Sequence, residues 1–453
     1  MSAAPTQPRR LRRARRRRPE STRRRLRRRP VLAGLPLLAL GGTALVACNP
    51  ASSSRSGEDG GIRFSWWGNA ERQATTEEII DLFEQRHEGI AVATEPGDIT
   101  SYWDRLNTAV AAGDEPDVIT MGGAYPAEYA QRGLLLDLGT MGEQIDLGVF
   151  DEAALSPGTV DGTVVALPTG INAPAMIVNP AVLEAAGVDM PDTATWTWQD
   201  YTEICAAVTA GSPEGTYGSG TTLTHDSLDL WARQHGQNLY TEDGELGLDV
   251  GIVESFFQLA KDLVDTGAAP GADLLVELAE VSNEQTLMGT GRAAFMATWS
   301  SSLTSLSKVS DSDLELVPLP GEDQEPGAWL QPSQLYTISA RSTAPETAAQ
   351  LVSFLLTDPE AGRLVLTDRG VPAVAAQREA ILPELSSTAQ TEVAYIDDLS
   401  SRTLKPTWIG PAGSTAIEEI TPRQQQEVLF GRSSSADAAA AWFEEATAAI
   451  ATG

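Results

Sequence analysis

From Ile62 onward, short apolar runs alternate with stretches whose apolar residues fall three and four apart. Ile62 to Trp67 reads as a strand. A helix follows from about Thr76, where Thr75 and Glu78 have capping-box spacing and Ile79, Ile80 and Phe83 form one apolar face. Ile90 to Thr94 reads as a second strand, and a helix through Trp103, Leu106 and Val110 stops at Gly113. Pro116 opens a buried strand from Asp117 to Met121, with a helix near Ala127 to Arg132 behind it. This alternation predicts an α/β fold with a mainly parallel sheet.

The pattern restarts after Val164 to Asn172, an apolar strand that runs through Pro168 and Gly170. Thr197 caps a helix whose apolar face is Trp198, Tyr201, Ile204, Cys205 and Val208. Two further helices carry Leu228, Trp231 and His235, then Val253, Phe256, Phe257, Ala260 and Leu263. Arg292 to Trp299, Leu314 to Pro318 and Leu335 to Ser339 read as strands, and the tail from Pro345 is helical. About four hundred residues exceed what one hydrophobic core organises, so two α/β lobes are expected.

The start of the chain has a different character. Fourteen arginines crowd the first twenty-nine residues, and Val31 to Ala47 then run apolar and uncharged into Leu45-Val46-Ala47-Cys48. This is the order of an export signal that ends at a lipid-attachment cysteine, with Arg28-Arg29 leaving the Sec and twin-arginine routes both open. The apolar run is shorter than the roughly 20 residues a membrane span needs, so lipid on Cys48 is the expected anchor. Asn49 to Gly61, rich in Ser and Gly, suits a flexible tether. Without residues 1–47, 18 basic residues face 61 acidic ones, a net charge of about -43 that repels nucleic acid and anionic lipid. Cys205 then stands alone, so no disulfide framework or thiolate metal site is available. His87, His225 and His235 lack metal-ligand spacing, and no cofactor is implied.

Several stretches together resemble the extracellular solute-binding proteins of family 1, the receptors of bacterial carbohydrate ABC importers. They include Phe64-Ser65-Trp66-Trp67-Gly68-Asn69, Tyr102-Trp103-Asp104-Arg105-Leu106, Gly113-Asp114-Glu115-Pro116-Asp117-Val118 and Glu128-Tyr129-Ala130-Gln131-Arg132-Gly133. Pro168-Thr169-Gly170-Ile171-Asn172, Leu230-Trp231-Ala232-Arg233-Gln234, Thr298-Trp299-Ser300 and Asp368-Arg369-Gly370-Val371-Pro372-Ala373 continue the likeness in the same order. The resemblance implies a two-lobed periplasmic-binding-protein type II clamp that grips a mono- or oligosaccharide and delivers it, as a monomer, to the transmembrane subunits of an ABC permease. The expected division is a signal over 1–47, a tether over 48–61, a first lobe over 62–169 plus 290–330, and a second over 170–289 plus 331–453. One departure is that Gly122-Gly123-Ala124-Tyr125 stands where relatives often carry an acidic residue and an aromatic.

Ligands of open α/β sheets bind beyond the carboxyl ends of strands. Trp67 and Asn69, at the end of the first strand, offer an aromatic plane and a planar amide, the two partners suited to a sugar's C–H face and hydroxyl rim. Trp299 and Ser300 end a strand in the same way. Asn172 follows the first expected crossover, where its amide could serve a ligand or a turn. Trp231 lies on a helical stripe that fits a core role as well as a ligand role. Trp329 follows the polar loop Gly321 to Gly327, and with Gln331 it could form a rim platform. Trp66 should point into the core, Trp103 reads as core or surface, and Arg369 reads as a salt-bridge partner. Ser305 and Lys308 have S-x-x-K spacing without the motifs that complete a penicillin-recognising site. A glycoside hydrolase with paired carboxylates, or a structural surface lipoprotein, are the competing classes.

Overall fold

The computed structural model describes residues 61–452 apart from 124, 280, 409 and 412; the expected signal, Cys48 and all of the expected tether but Gly61 lie outside the described residues. The first strand, β1 (Ile62–Trp67), falls where the sequence places it. Helix α1 (Ala70–Arg86) begins six residues earlier than expected. Asn69 caps it by accepting the Arg72 N–H at 2.9 Å, which leaves Thr75 and Glu78 inside the helix. Then come β2 (Val92–Gly97), α2 (Ile99–Ala112), β3 (Val118–Met121), α3 (Tyr125–Gln131) and α4 (Glu152–Leu155). Gly113 closes α2 in the left-handed conformation, φ 69°, where a side chain would be strained.

A small hairpin, β4 (Thr159–Val160) and β5 (Thr163–Val164), leads into β6 (Ala166–Asn172), and β7 (Pro174–Val178) follows after one residue. The second half holds α5 (Pro180–Ala186), α6 (Trp198–Gly211), β8 (Tyr217–Ser219), α7 (His225–Arg233), α8 (Val250–Asp265), α9 (Ala272–Leu278), β9 (Ala293–Trp299), α10 (Ser302–Ser307), β10 (Glu315–Val317) and β11 (Gln331–Ile338). Helices α11 (Pro345–Thr357), α12 (Pro359–Val365), α13 (Ala375–Ile381), α14 (Ser387–Ser400), α15 (Thr415–Leu429) and α16 (Ser435–Thr452) complete it. No helix among the described residues is long and apolar enough to cross a membrane.

Pairing sorts these strands into two mixed sheets, ordered β2-β1-β3-β11-β6 and β10-β7-β9-β8. In each sheet one strand opposes the rest: β11 in the first, antiparallel to β3 and β6, and β7 in the second, antiparallel to β9 and β10. Alternating side chains give the first sheet two packed faces. Ile62, Phe64 and Trp66 join one core with α1 and α11, while Ile119, Met121 and Leu335 join another with Tyr102, Leu106 and Tyr129. The second lobe packs α6, α8, α15 and α16 around Tyr201, Phe256, Phe257 and Trp442.

This pairing corrects the expected division of the chain. Strand β9, assigned to the first lobe, pairs with β7 and β8 of the second sheet, and β11, assigned to the second, sits between β3 and β6 of the first. Both strands are of similar length and carry buried apolar residues, so local pattern says that they are strands and not which sheet completes their hydrogen bonds. The chain passes between the sheets at Ala173 and between β10 and β11, and between α14 and α15 it passes from the first lobe's core to the second's.

Candidate functional site

The carboxyl ends of β1, β3 and β6 and the amino end of the opposed β11 share one edge of the first sheet, and the ends of β8 and β9 meet the start of β7 at an edge of the second. Ala173, alone between β6 and β7, would leave its backbone groups unpaired. Ser300 satisfies both: its hydroxyl accepts the Ala173 N–H at 3.2 Å, and its own N–H donates to the Ala173 carbonyl at 2.8 Å. Fully buried, Ser300 stitches the crossing.

A continuous run of contacts joins most of the sequence-predicted residues. Turned so that its oxygen faces both donors, the Gln334 amide accepts from Trp67 Nε1 at 3.2 Å and from the Arg72 guanidinium at 3.3 Å. One residue before Gln334, Ser333 accepts from Asn172 Nδ2 at 2.9 Å, and Asn172 stands opposite Gln331 in the β6–β11 register. Gln331 Oε1 accepts from Trp329 Nε1 at 2.8 Å, and the Trp329 ring meets the Trp299 ring edge-on at 5.7 Å. Gln331 to Gln334 spans about 10 Å of strand. Trp67, Asn172, Gln331, Trp329, Trp299 and Ser300 therefore share one neighbourhood at the passage between the sheets. Asn69 adjoins it, with its side-chain oxygen engaged in capping α1.

Trp329 differs from the rim role expected of it, and Trp231 is packed as its core alternative has it. Trp329 is 2% exposed, with the Arg233 guanidinium 5.6 Å from its ring centroid, so it offers no open face. Its loop is folded inward by Glu322, which accepts from the Gly327 and Ala328 N–H groups. Trp231 stands apart, donating to Ser255 at 2.9 Å and packing against Trp198 and His235. Arg233, also buried, gathers the carbonyls of Gly327, Lys405 and Pro406, which ties two of the passages together.

The structure adds residues that the sequence pattern did not single out. Trp103 and Tyr125 are stacked 3.5 Å apart at 8°, and Trp103 lies 5.5 Å from Trp67, so three half-buried rings form one aromatic wall. Tyr102 and Trp103 are adjacent on a helix, and Tyr102 is buried at 1% exposure; adjacent helical residues face different ways, which was the available signal. The glycines after β3 now have a reason. A Cβ at Gly122 would pack on the Trp67 ring at 3.4 Å, so the indole borders this position closely, and Gly123 sits at φ 55°, which favours glycine.

A cavity of about 850 Å3 lies elsewhere, lined by Leu155, Val160, Leu330, Leu404 and Trp408 together with Asp161 and Glu242. None of the predicted ligand residues lines it. Burial pushes the Cys205 thiol well above its ordinary range, as suits a small core residue. Among the described residues no cluster of His, Cys, Asp and Glu could hold a metal ion.

The chain belongs to the bacterial extracellular solute-binding proteins, whose family profile matches residues 78–391. A protein of Brucella abortus named as a binding protein is 28% identical over 282 residues, 59% of this chain, and the chain spans about 62% of that relative's length. Among solved structures, an extracellular solute-binding protein family 1 member from Alicyclobacillus acidocaldarius superposes with TM-score 0.72 at 25% identity, covering 86% of this chain and 98% of that one. A periplasmic oligogalacturonide binding protein from Yersinia enterocolitica gives TM-score 0.73 at 21% identity, covering 86% and 99%. These neighbours share the two-lobed α/β architecture.

Proposed function

We propose that this protein captures a mono- or oligosaccharide between its two lobes and hands it, chemically unchanged, to an ABC permease, held at the outer membrane face by lipid on Cys48. The observation that carries this reading is the run of indoles and amides from Trp67 through Gln334, Asn172 and Gln331 to Trp299, where the chain passes between the sheets. Aromatic faces match the C–H plane of a pyranose, and planar amides match its paired hydroxyls. Asn172 Oδ1 is buried and has no hydrogen-bond partner among the described residues, an acceptor that a sugar hydroxyl would satisfy. The Trp103–Tyr125 pair extends the wall beyond Trp67 and offers a further aromatic surface to a second sugar ring.

Closure follows if the sugar binds the closed arrangement better than the open one. A thermal-shift screen of mono- and oligosaccharides tests the reading, because a ligand at a hundredfold excess over its Kd stabilises by about 2.7 kcal/mol. Stabilisation with the glycan recovered intact supports a receptor. Released monosaccharide supports a hydrolase, and indifference to every glycan removes the carbohydrate assignment.

A further inference from the structure

Arg369 was expected to form a salt bridge, and it does not. It is 4% exposed, and its guanidinium donates to two neutral hydroxyls, Tyr336 and Thr76; none of the ion pairs among the described residues includes it. The neighbouring Asp368 pairs instead with Arg72 at 2.8 Å. Arg369 Nε is buried without a partner. The Asp368 carboxylate acts on Tyr336 electrostatically but is bonded to Arg72, so no opposite charge bonds to the Arg369 guanidinium, and a buried cation whose direct partners are all neutral is costly.

Arg369 lines a small cavity of about 10 Å3, walled by Thr169, Tyr336, Leu355, Gly362 and Leu366, and no carboxylate is among its lining residues. That volume suits one particle about the size of a water molecule. Burial raises the Tyr336 phenol above its ordinary range, so Tyr336 stays protonated and supplies a donor, not a countercharge. Leu366, in the same wall, sits at φ 51°, ψ -118°, a conformation that L-residues adopt only under constraint. We propose that Arg369 and Tyr336 form a buried site for one small monovalent anion of the halide class, which neutralises the guanidinium beneath the loop 366–372.

The site bears on the ligand edge through the backbone. Ile171 and Val371 exchange hydrogen bonds at 2.7 and 3.0 Å, and a Cβ at Gly170 would meet the Arg369 carbonyl at 2.1 Å, so the loop clamps β6 just ahead of Asn172.

The test is thermal unfolding of the purified protein as chloride replaces gluconate at constant pH and ionic strength. A saturable rise in Tm of about 2 °C is expected, reproduced by bromide and absent in Arg369→Lys, which keeps the charge and lacks the Nε donor. Crystals grown in bromide should show an anomalous peak within hydrogen-bond reach of Arg369 Nε, and this result stands even if the variant fails to fold. A Tm indifferent to the exchange, or density at Nε without anomalous signal, that is, ordered water only, overturns the proposal.

Discussion

Glu392→Gln should make the protein more stable at alkaline pH and remove part of its pH dependence. Glu392, on α14, is 2% exposed, and its Oε1 accepts the Thr304 N–H of α10 at 2.8 Å. Around it, the Thr304 and Thr388 hydroxyls lie 3.4 Å apart, and Lys308 at the end of α10 supplies the facing positive charge. Burial dominates over those hydrogen bonds and Lys308, and pushes the carboxyl up to about 7 from 4.5. With the folded pKa raised above the unfolded one, the stability is present below about pH 4.5 and is lost as pH rises through about 7. The difference of about 2.5 units corresponds to roughly 3 kcal/mol. Glutamine keeps an acceptor for the Thr304 N–H and carries no charge to desolvate. Urea unfolding of both proteins at pH 4.5 and pH 8 measures this: the variant should gain up to about 3 kcal/mol at pH 8 and almost nothing at pH 4.5. Equal gains at both pH values would refute a buried, ionising Glu392.

Three further outcomes are expected. Trp67→Ala should weaken binding of the preferred glycan by about 100-fold or more in calorimetric titration, since one indole face of about 150 Å2 at about 25 cal/mol per Å2 is at stake, while circular dichroism shows the fold retained. Gly170→Ala drives a methyl into the Arg369 carbonyl and should lower the urea midpoint by the equivalent of about 1–3 kcal/mol. Ser300→Ala leaves the buried Ala173 N–H without its acceptor and should cost about 1–3 kcal/mol of stability, read from the same unfolding curves.

The alternation of apolar runs was enough to place β1, α2, β3, the capped helix from Thr197 and the apolar α8, because each is decided by its own periodicity and end signals. Sheet membership was not legible. Strands β9 and β11 exchanged lobes because their partners lie far off in the chain: β3 and β6 for β11 and β7 for β9 are more than a hundred residues away, and even β8, the other partner of β9, is about 75 away. The strand-end rule singled out Trp67 and Trp299, which lie at strand ends in the candidate site, and the apolar run into Asn172 ends one residue before the crossing at Ala173. Gln334 was missed because it lies inside a buried strand, where a polar residue has no sequence mark of its partner. The polar flanks of Trp329 leave a rim platform open to it, and the inward turn made by Glu322 buries it instead. Arg369 carried no signal that its partners would be neutral.

A crystal structure with the tightest glycan from the screen tests the central claim most directly. The account predicts a sugar ring against Trp67 or Trp299 with a hydroxyl on Asn172 Oδ1. A glycan lodged against Trp408 in the larger cavity, with the indoles of the sheet edge untouched, would contradict it.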